Sequence, residues 1–309
     1  MNNNQRIVIA GGSGFIGTSL AREFIRRGRS VVVLTRSPRE RTDGVRELAW
    51  DGQTAGAWAN ELEGAEAVIN LTGKNINCPH TPENLMEITA SRVDSVKAVA
   101  AAMAQVKPPP RVWVQASATG FYGDTGDRLC DEAAPNGNDA LSHICRDWEG
   151  AFNDAVAPGT RKVTLRIGFV LGWGGGALPV LAKLTRLFLG GAAGSGRQYI
   201  SWIHVTDLIG IFVEAVEREA WSGTYNAVAP GAVTNAAFMR ELRGAIGRPW
   251  SPPAPALAVK LGARLMGSEP SLALVSQRCA PVRLAQAGFQ FKYRELGPAL
   301  SALCQEKRH

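Results

Sequence analysis

The sequence predicts an α/β fold: a doubly wound, mostly parallel sheet with a smaller C-terminal lobe. Three observations carry this expectation. A glycine-punctuated turn joins an apolar run to a helix near the N-terminus, and strand-like and helix-like runs alternate through the first half. Beyond about residue 172 the chain becomes rich in glycine and proline.

Residues 7–10 (Ile7, Val8, Ile9, Ala10) form a short apolar run that reads as a buried strand. Gly11, Gly14 and Gly17 follow at a spacing of three, and residues 18–27 read as a helix with Leu20, Ala21, Phe24 and Ile25 on its apolar face. Strand, glycine turn and helix in this order form the context of a Rossmann-type dinucleotide site. Gly11 allows the tight turn, Gly14 the close approach of a pyrophosphate, and Gly17 the packing of helix on strand. Glycines also serve ordinary turns, so the flanking elements decide the reading.

The second strand, residues 30–35, ends in Thr35, Arg36 and Ser37. Sites for NAD place a carboxylate here, on the ribose hydroxyls. None stands here, and Arg36 offers a forked, charge-assisted contact to a 2′-phosphate. Ser37, Arg39 and Arg41 add donors and charge. NADP(H) is therefore the expected cofactor, the alternative being that Arg36 is simply a solvated side chain past a strand end.

Further strands are predicted at 44–50, 66–71, 111–116, 162–170 and 223–227. Helices are predicted at 84–105, 141–155, 177–189 and 206–218. The expected division is a dinucleotide-binding domain of residues 1–172 plus about 202–232, and a substrate lobe of about 173–201 plus 233–309. Ligands in such sheets sit beyond the carboxyl ends of the strands, where the lobe would cap them.

Composition bounds the partners. Hydrophobic residues make up 45% and charged residues 20% of 309 residues, ordinary for a soluble globule. The net charge of +7 comes from scattered basic residues without interleaved aromatics, so neither nucleic acid nor membrane is an expected partner. The expected partner is a small-molecule substrate, and the sequence leaves the oligomeric state open. Five widely spaced cysteines favour reduced thiols and a cytoplasmic setting. The first strand starts at Arg6, which leaves no room for a signal peptide in this reading, and no apolar run is long enough to span a bilayer. Cys78 and His80 are too few ligands for a metal site, so no metal is expected.

These residues together resemble the extended short-chain dehydrogenase/reductase superfamily. More narrowly, they resemble its atypical branch known as the epimerase family, a nucleotide-sugar epimerase group whose members are also called cell-division-inhibitor-like. The resemblance runs through GGSGFIG (11–17), LTRSP (34–38), AVINLTGKNI (67–76), SRV (91–93) and SATGFYG (117–123). It continues through RDWEGAF (146–152), LRIGFVLGWGGGAL (165–178), GGAAGSGRQYISWIHVTDL (190–208) and AGFQFKY (287–293). It implies a cofactor cradle of Gly11, Gly14, Phe15, Ile16 and Gly17 at the pyrophosphate, with Arg36 and Ser37 at the 2′-phosphate. Trp50 and Asp51 would lie near the adenine, and Leu71, Thr72 and Gly73 near the nicotinamide ribose. Ala116 and Ser117, then Arg166, Ile167 and Gly168, would flank the ring.

One family feature is missing. Working members use a Tyr-x-x-x-Lys pair on the helix after the fifth strand, in which the lysine lowers the tyrosine pKa. None of Tyr122, Tyr199, Tyr225 and Tyr293 has a lysine four residues later, and anchoring on Glu149 puts Leu141 and Cys145 in those places. Ser117, Tyr122 and His204 are the candidate catalytic groups. Tyr122 is expected at the mouth of the crevice, as an acid or as a lining residue. His204 is a base or a residue fixing its loop. Arg197, Gln198 and Trp202 are the candidate substrate contacts. His143 and Asp147 share a helix face with no chemistry assigned. Two functions remain open: an NADP-dependent epimerase or reductase of a sugar-like substrate, or a non-catalytic NADP(H)-binding regulator.

Overall fold

The computed structural model describes residues 5–265 and 267–307, so the ends of both expected domains (residues 1–4, 308 and 309) and Met266 lie outside the described residues. The chain runs β1 (Arg6–Ala10), α1 (Phe15–Arg26), β2 (Ser30–Thr35), β3 (Val45–Ala49), β4 (Ala67–Asn70), α2 (Pro82–Met103), β5 (Val112–Ala118) and α3 (Ala140–Asp154). It continues as β6 (Arg161–Ile167), β7 (Phe169–Leu171), α4 (Leu178–Arg186), β8 (Tyr199–Ile200), β9 (Trp202–His204), α5 (Val205–Glu217) and β10 (Gly223–Ala227). The remainder is β11 (Val233–Thr234), α6 (Asn235–Ile246), α7 (Ala256–Leu265), α8 (Val282–Gln286) and α9 (Leu296–Glu306).

Seven strands form one parallel sheet in the order β10-β6-β5-β4-β1-β2-β3. The expected doubly wound architecture is present. Strands β1, β2 and β4 are buried on both faces, which is why they read as nearly continuous apolar runs. In β1 the alternation is plain: Ile7 and Ile9 enter the core beneath α1 and α5, whereas Val8 and Ala10 enter the core beneath α2 and α3. Helix α1 buries Gly17, Leu20, Ala21 and Phe24 at three- and four-residue spacing. Thr81 caps α2 and Pro82 occupies its first turn, while Asp139 and Ser142 close a capping box on α3.

The expected strand at 162–170 divides into β6 and β7. Gly168 is the reason: a Cβ there would lie 2.4 Å from the Ser201 carbonyl oxygen. Phe169 N–H donates to that oxygen at 2.7 Å, and β7 leaves the main sheet to pair with β9. Beside this ribbon a separate apolar cluster gathers Leu178 of α4, Phe238 and Leu242 of α6, and Leu300 and Leu303 of α9 around Trp202 and Leu171. The C-terminal segment also reaches back to the loop after β4. Ser268 Oγ donates to Asn77 Oδ1, and His80 N–H donates to Glu269 Oε2 at 3.2 Å.

Candidate functional site

Strand order reverses between β1 and β4, and in such sheets the crevice beyond the carboxyl ends of these strands, here Ala10 and Asn70, is where ligands bind. The glycine turn lies at its base. Gly11 has φ +70°, and a Cβ there would lie 2.9 Å from Thr72 Oγ1. A Cβ on Gly17 would lie 2.4 Å from Gly12 Cα, so helix and turn fit together only through glycine. Gly14 differs: no atom lies within 4 Å of a Cβ built there. No side chain caps α1 at Gly14, so its first N–H groups and positive dipole end face the crevice. Thr72 Oγ1 is buried without a hydrogen-bond partner. Open space at Gly14, an uncapped helix N-terminus and an orphaned hydroxyl fit a pyrophosphate-bearing ligand. Phe15 contributes to this turn through its backbone alone. Its ring packs against the 172–175 loop, and Cβ atoms on Gly172, Gly174 and Gly175 would come within 2.3, 2.6 and 2.8 Å of it. The Ile16 side chain packs on the core.

At the end of β2, Arg36 and Ser37 are exposed. Arg41 is not a free donor: its guanidinium is paired with Asp43 and Glu47, and the Asp43 bond raises its already high pKa. Asp51 is exposed and accepts from Gln53 and Thr54 N–H groups. Trp50, expected near the adenine, is instead a core residue. It tilts against Trp58 at 5.2 Å and donates Nε1–H to Thr54 O. After β4, Leu71 is half-buried and Gly73 exposed.

Beneath the crevice lies a buried polar network. Arg166 grips the Glu149 carboxylate with Nε–H at 2.9 Å and Nη2–H at 2.7 Å, and donates Nη1–H to Tyr122 OH at 2.9 Å. Ser117 Oγ donates to Glu149 Oε1 at 2.6 Å. Tyr122 OH donates to Asn226 Oδ1 at 2.7 Å. Tyr122 therefore does not sit at the crevice mouth: it is fully buried, and burial raises the pKa of its hydroxyl well above the usual range. Its apolar neighbours and the Arg166 guanidinium hold it inside. Arg166 is likewise buried, and Gly168 is a packing glycine against Ser201, so neither flanks an open pocket. Ala116 is buried in β5, and Ile167 packs on the core beneath α2 and α3.

The SWIH segment also folds inward. Trp202 is fully buried and donates Nε1–H to Gly231 O at 2.8 Å, which removes it from stacking on a ligand. Gln198 ties two carbonyls together, those of Ala193 and Ala273. Arg197 is exposed. His204 caps α5: its Nδ1 accepts from Thr206 N–H at 3.1 Å and its ring lies 4.0 Å from that of Tyr293. Burial, helped by nearby Lys292, lowers its pKa to about 4. His143 and Asp147 line an outer groove between α2 and α3.

Two side chains that the sequence did not single out lie beside the glycines that follow β4 and β5. The Arg92 guanidinium lies over Gly73, where a Cβ would be 2.9 Å from its Cζ. It donates to the Lys74 and Ile88 carbonyls and sits 5.1 Å from the Trp148 ring. No carboxylate pairs with it among the described residues, and desolvation lowers its pKa. Gln277 accepts from Thr119 Oγ1 at 2.7 Å, and its Nε2 lies 3.9 Å from a Cβ built on Gly120. Cys145, at the expected lysine place, is a buried thiol pushed up to about 12 by desolvation. The SRV motif marked the position of Arg92, but only the fold brings it beside Gly73.

The sequence pattern of the NAD dependent epimerase/dehydratase family matches residues 7–227, and a domain of unknown function (DUF1731) matches residues 254–303. The chain is 37% identical over 303 residues to the bovine epimerase family protein SDR39U1, covering 96% of this chain and 98% of that one. Among solved structures it is similar to human SDR39U1 crystallised with NADPH, with 33% identity and a TM-score of 0.86 over 97% of this chain and 99% of that one. It is also similar to a nucleoside-diphosphate sugar epimerase from Corynebacterium glutamicum, with 30% identity and a TM-score of 0.78 over 97% of this chain and 58% of that one.

Proposed function

The chain belongs to the NAD dependent epimerase/dehydratase family, and from that premise we propose that it binds NADP(H) and moves hydride to or from a small, sugar-nucleotide-like substrate. The observation that carries the reading is the glycine turn, with open space at Gly14 and the orphaned Thr72 hydroxyl beside it. Arg36, exposed at the end of β2 without a neighbouring carboxylate in Thr35-Arg36-Ser37, supports the 2′-phosphorylated form. The NADPH of the human relative and the name of the Corynebacterium protein point the same way.

A bound nicotinamide would supply the hydride donor and acceptor. The protein's own residues bind, orient and manage protons. Gly11, Gly14 and Gly17 shape the pyrophosphate cradle, with Asp51 toward the adenine and Leu71 and Gly73 toward the nicotinamide ribose. Arg92 supplies the fixed positive charge for which the family resemblance implies a lysine at the place of Cys145. It holds oxygens but exchanges no proton, because a guanidinium stays charged. Ser117 Oγ–H donates its hydrogen bond to Glu149, which leaves its oxygen lone pairs to accept from a substrate hydroxyl. Tyr122 and His204 hold the floor and the lobe hinge rather than touch substrate. The lobe of residues 173–201 and 233–309, with exposed Arg197, receives the substrate.

One observation favours a second reading, a non-catalytic NADP(H)-binding regulator: Ser117, Tyr122 and His204 are all buried and bonded within the protein. The test is calorimetric titration with NADPH and NADH, followed by absorbance at the reduced-nicotinamide band as sugar nucleotides and ketones are added. Arg36→Ala should weaken NADPH by roughly ten- to a hundredfold and leave NADH nearly unchanged. Equal affinities for the two cofactors in the native protein overturn the NADP(H) assignment. Tight NADPH binding with no absorbance change across a broad panel moves the conclusion to the regulator.

A further inference from the structure

Two stretches of the C-terminal half contain no carboxylate: residues 155–206 and residues 242–268 have neither Asp nor Glu. The fold brings parts of them together. Gly194 N–H donates to Ala254 O, and Ala254 N–H donates to Ala192 O. Arg248 Nε–H donates to Arg186 O, and Arg243 Nη1–H donates to Gly190 O. These two stretches carry Lys183, Arg186, Arg243, Arg248, Lys260 and Arg264 and contribute no carboxylate of their own to the surface they form.

The same surface is unusually apolar. Of the twelve exposed large hydrophobic side chains among the described residues, eight lie within 180–189 and 250–265. Leu187, Phe188 and Leu189 follow the end of α4, and Trp250, two residues past Arg248, is 65% exposed. Phe188 is the one described non-glycine residue with a left-handed φ, +61°, a costly conformation that persists only when its surroundings impose it. Arg248 covers its ring at 4.8 Å. On α7, Leu257, Leu261 and Leu265 recur every four residues at 60–81% exposure, a stripe along one helix face. Ala263 is the buried residue of that helix.

We propose that this face of the C-terminal lobe docks on an anionic lipid surface. Projecting Leu, Phe and Trp side chains bordered by Lys and Arg are the composition of an interfacial helix, whose apolar side enters the acyl boundary while its cations meet headgroup phosphates. A second copy of the chain is a poorer occupant, since an isologous contact would press one carboxylate-free basic surface against another. No described helix is long and apolar enough to cross a membrane, so the contact is peripheral.

The test is sedimentation of the full chain with phosphatidylcholine vesicles, with and without phosphatidylglycerol. The protein should bind the anionic vesicles, and added salt should release it. Combining Leu257→Ser, Leu261→Ser and Leu265→Ser should weaken binding by on the order of tenfold or more, as should Lys183→Glu with Arg264→Glu. Val156→Ser, outside this face, should change nothing. Unaltered melting temperatures show that these surface variants remain folded. Absence of vesicle binding, equal binding to neutral vesicles, or insensitivity to both sets of substitutions overturns the proposal. Self-association or capture of an acidic polypeptide that the same substitutions abolish, without vesicle binding, assigns the face to a protein and also overturns it.

Discussion

His204 caps α5 through Nδ1, which requires the neutral imidazole, and its Nε2 is buried without a partner. Protonation is therefore disfavoured in the fold: the pKa falls from 6.5 to about 4. The unfolded chain takes up a proton near pH 6.5 while the folded chain does not. The associated stability is fully present above the unfolded value and is lost as pH falls toward the folded one. We expect the native protein to lose on the order of 2–3 kcal/mol more than His204→Asn between about pH 7 and pH 4, measured by denaturant unfolding at each pH. Asn is chosen because it retains a capping acceptor. Equal losses in the two proteins would exclude His204 as the source. At this scale the sequence spoke clearly where chemistry is local. The exposed position of Arg36 at the end of β2 is legible because strand end and side chain are neighbours in sequence. Tyr122, Trp50 and Trp202 were misplaced because their burial is decided by Asn226, Thr54 and Gly231, partners remote or hidden from any motif.

The glycine turn and α1 are the element in which sequence and structure agree most closely, since a spacing of three encodes both turn and packing. The structure adds a distinction between two of these glycines. Gly14→Val should leave the fold intact, because a Cβ at that position meets open space. Its side chain would occupy the ligand's approach, so NADPH affinity should fall at least a hundredfold, or about 3 kcal/mol, while the melting temperature stays within a few degrees. Gly17→Val should fail differently. Its Cβ would meet the Gly12 backbone at 2.4 Å, and the helix must move. A destabilisation of about 1–3 kcal/mol or more is expected in denaturant melts, with loss of cofactor binding as a consequence. The break at Gly168 and the short ribbons β7–β9 and β8–β11 escaped the sequence because strands of two or three residues carry no periodic signal.

Across the whole molecule, the Glu149–Arg166 pair links α3 to β6, and Tyr122 extends it to Asn226 in β10 and so to Ala280 of the C-terminal segment. Glu149→Gln leaves the guanidinium buried without a counter-charge and should cost about 3–5 kcal/mol in chemical denaturation. Loss of less than about 1 kcal/mol would mean that water reaches the pair. The contacts of Ser268 with Asn77 and of Glu269 with His80 tie the far end of the chain to the loop after β4, beside the crevice. We expect their consequence to be kinetic: opening of the tie should contribute to the rate at which a ligand exchanges at that end of the sheet. Stopped-flow mixing with NADPH should give an association rate constant well below the diffusional ceiling of about 10⁸–10⁹ M⁻¹s⁻¹. Ser268→Ala with Glu269→Ala should raise the on- and off-rates together and leave Kd nearly constant, making this tie a timer on residence rather than a grip on the ligand.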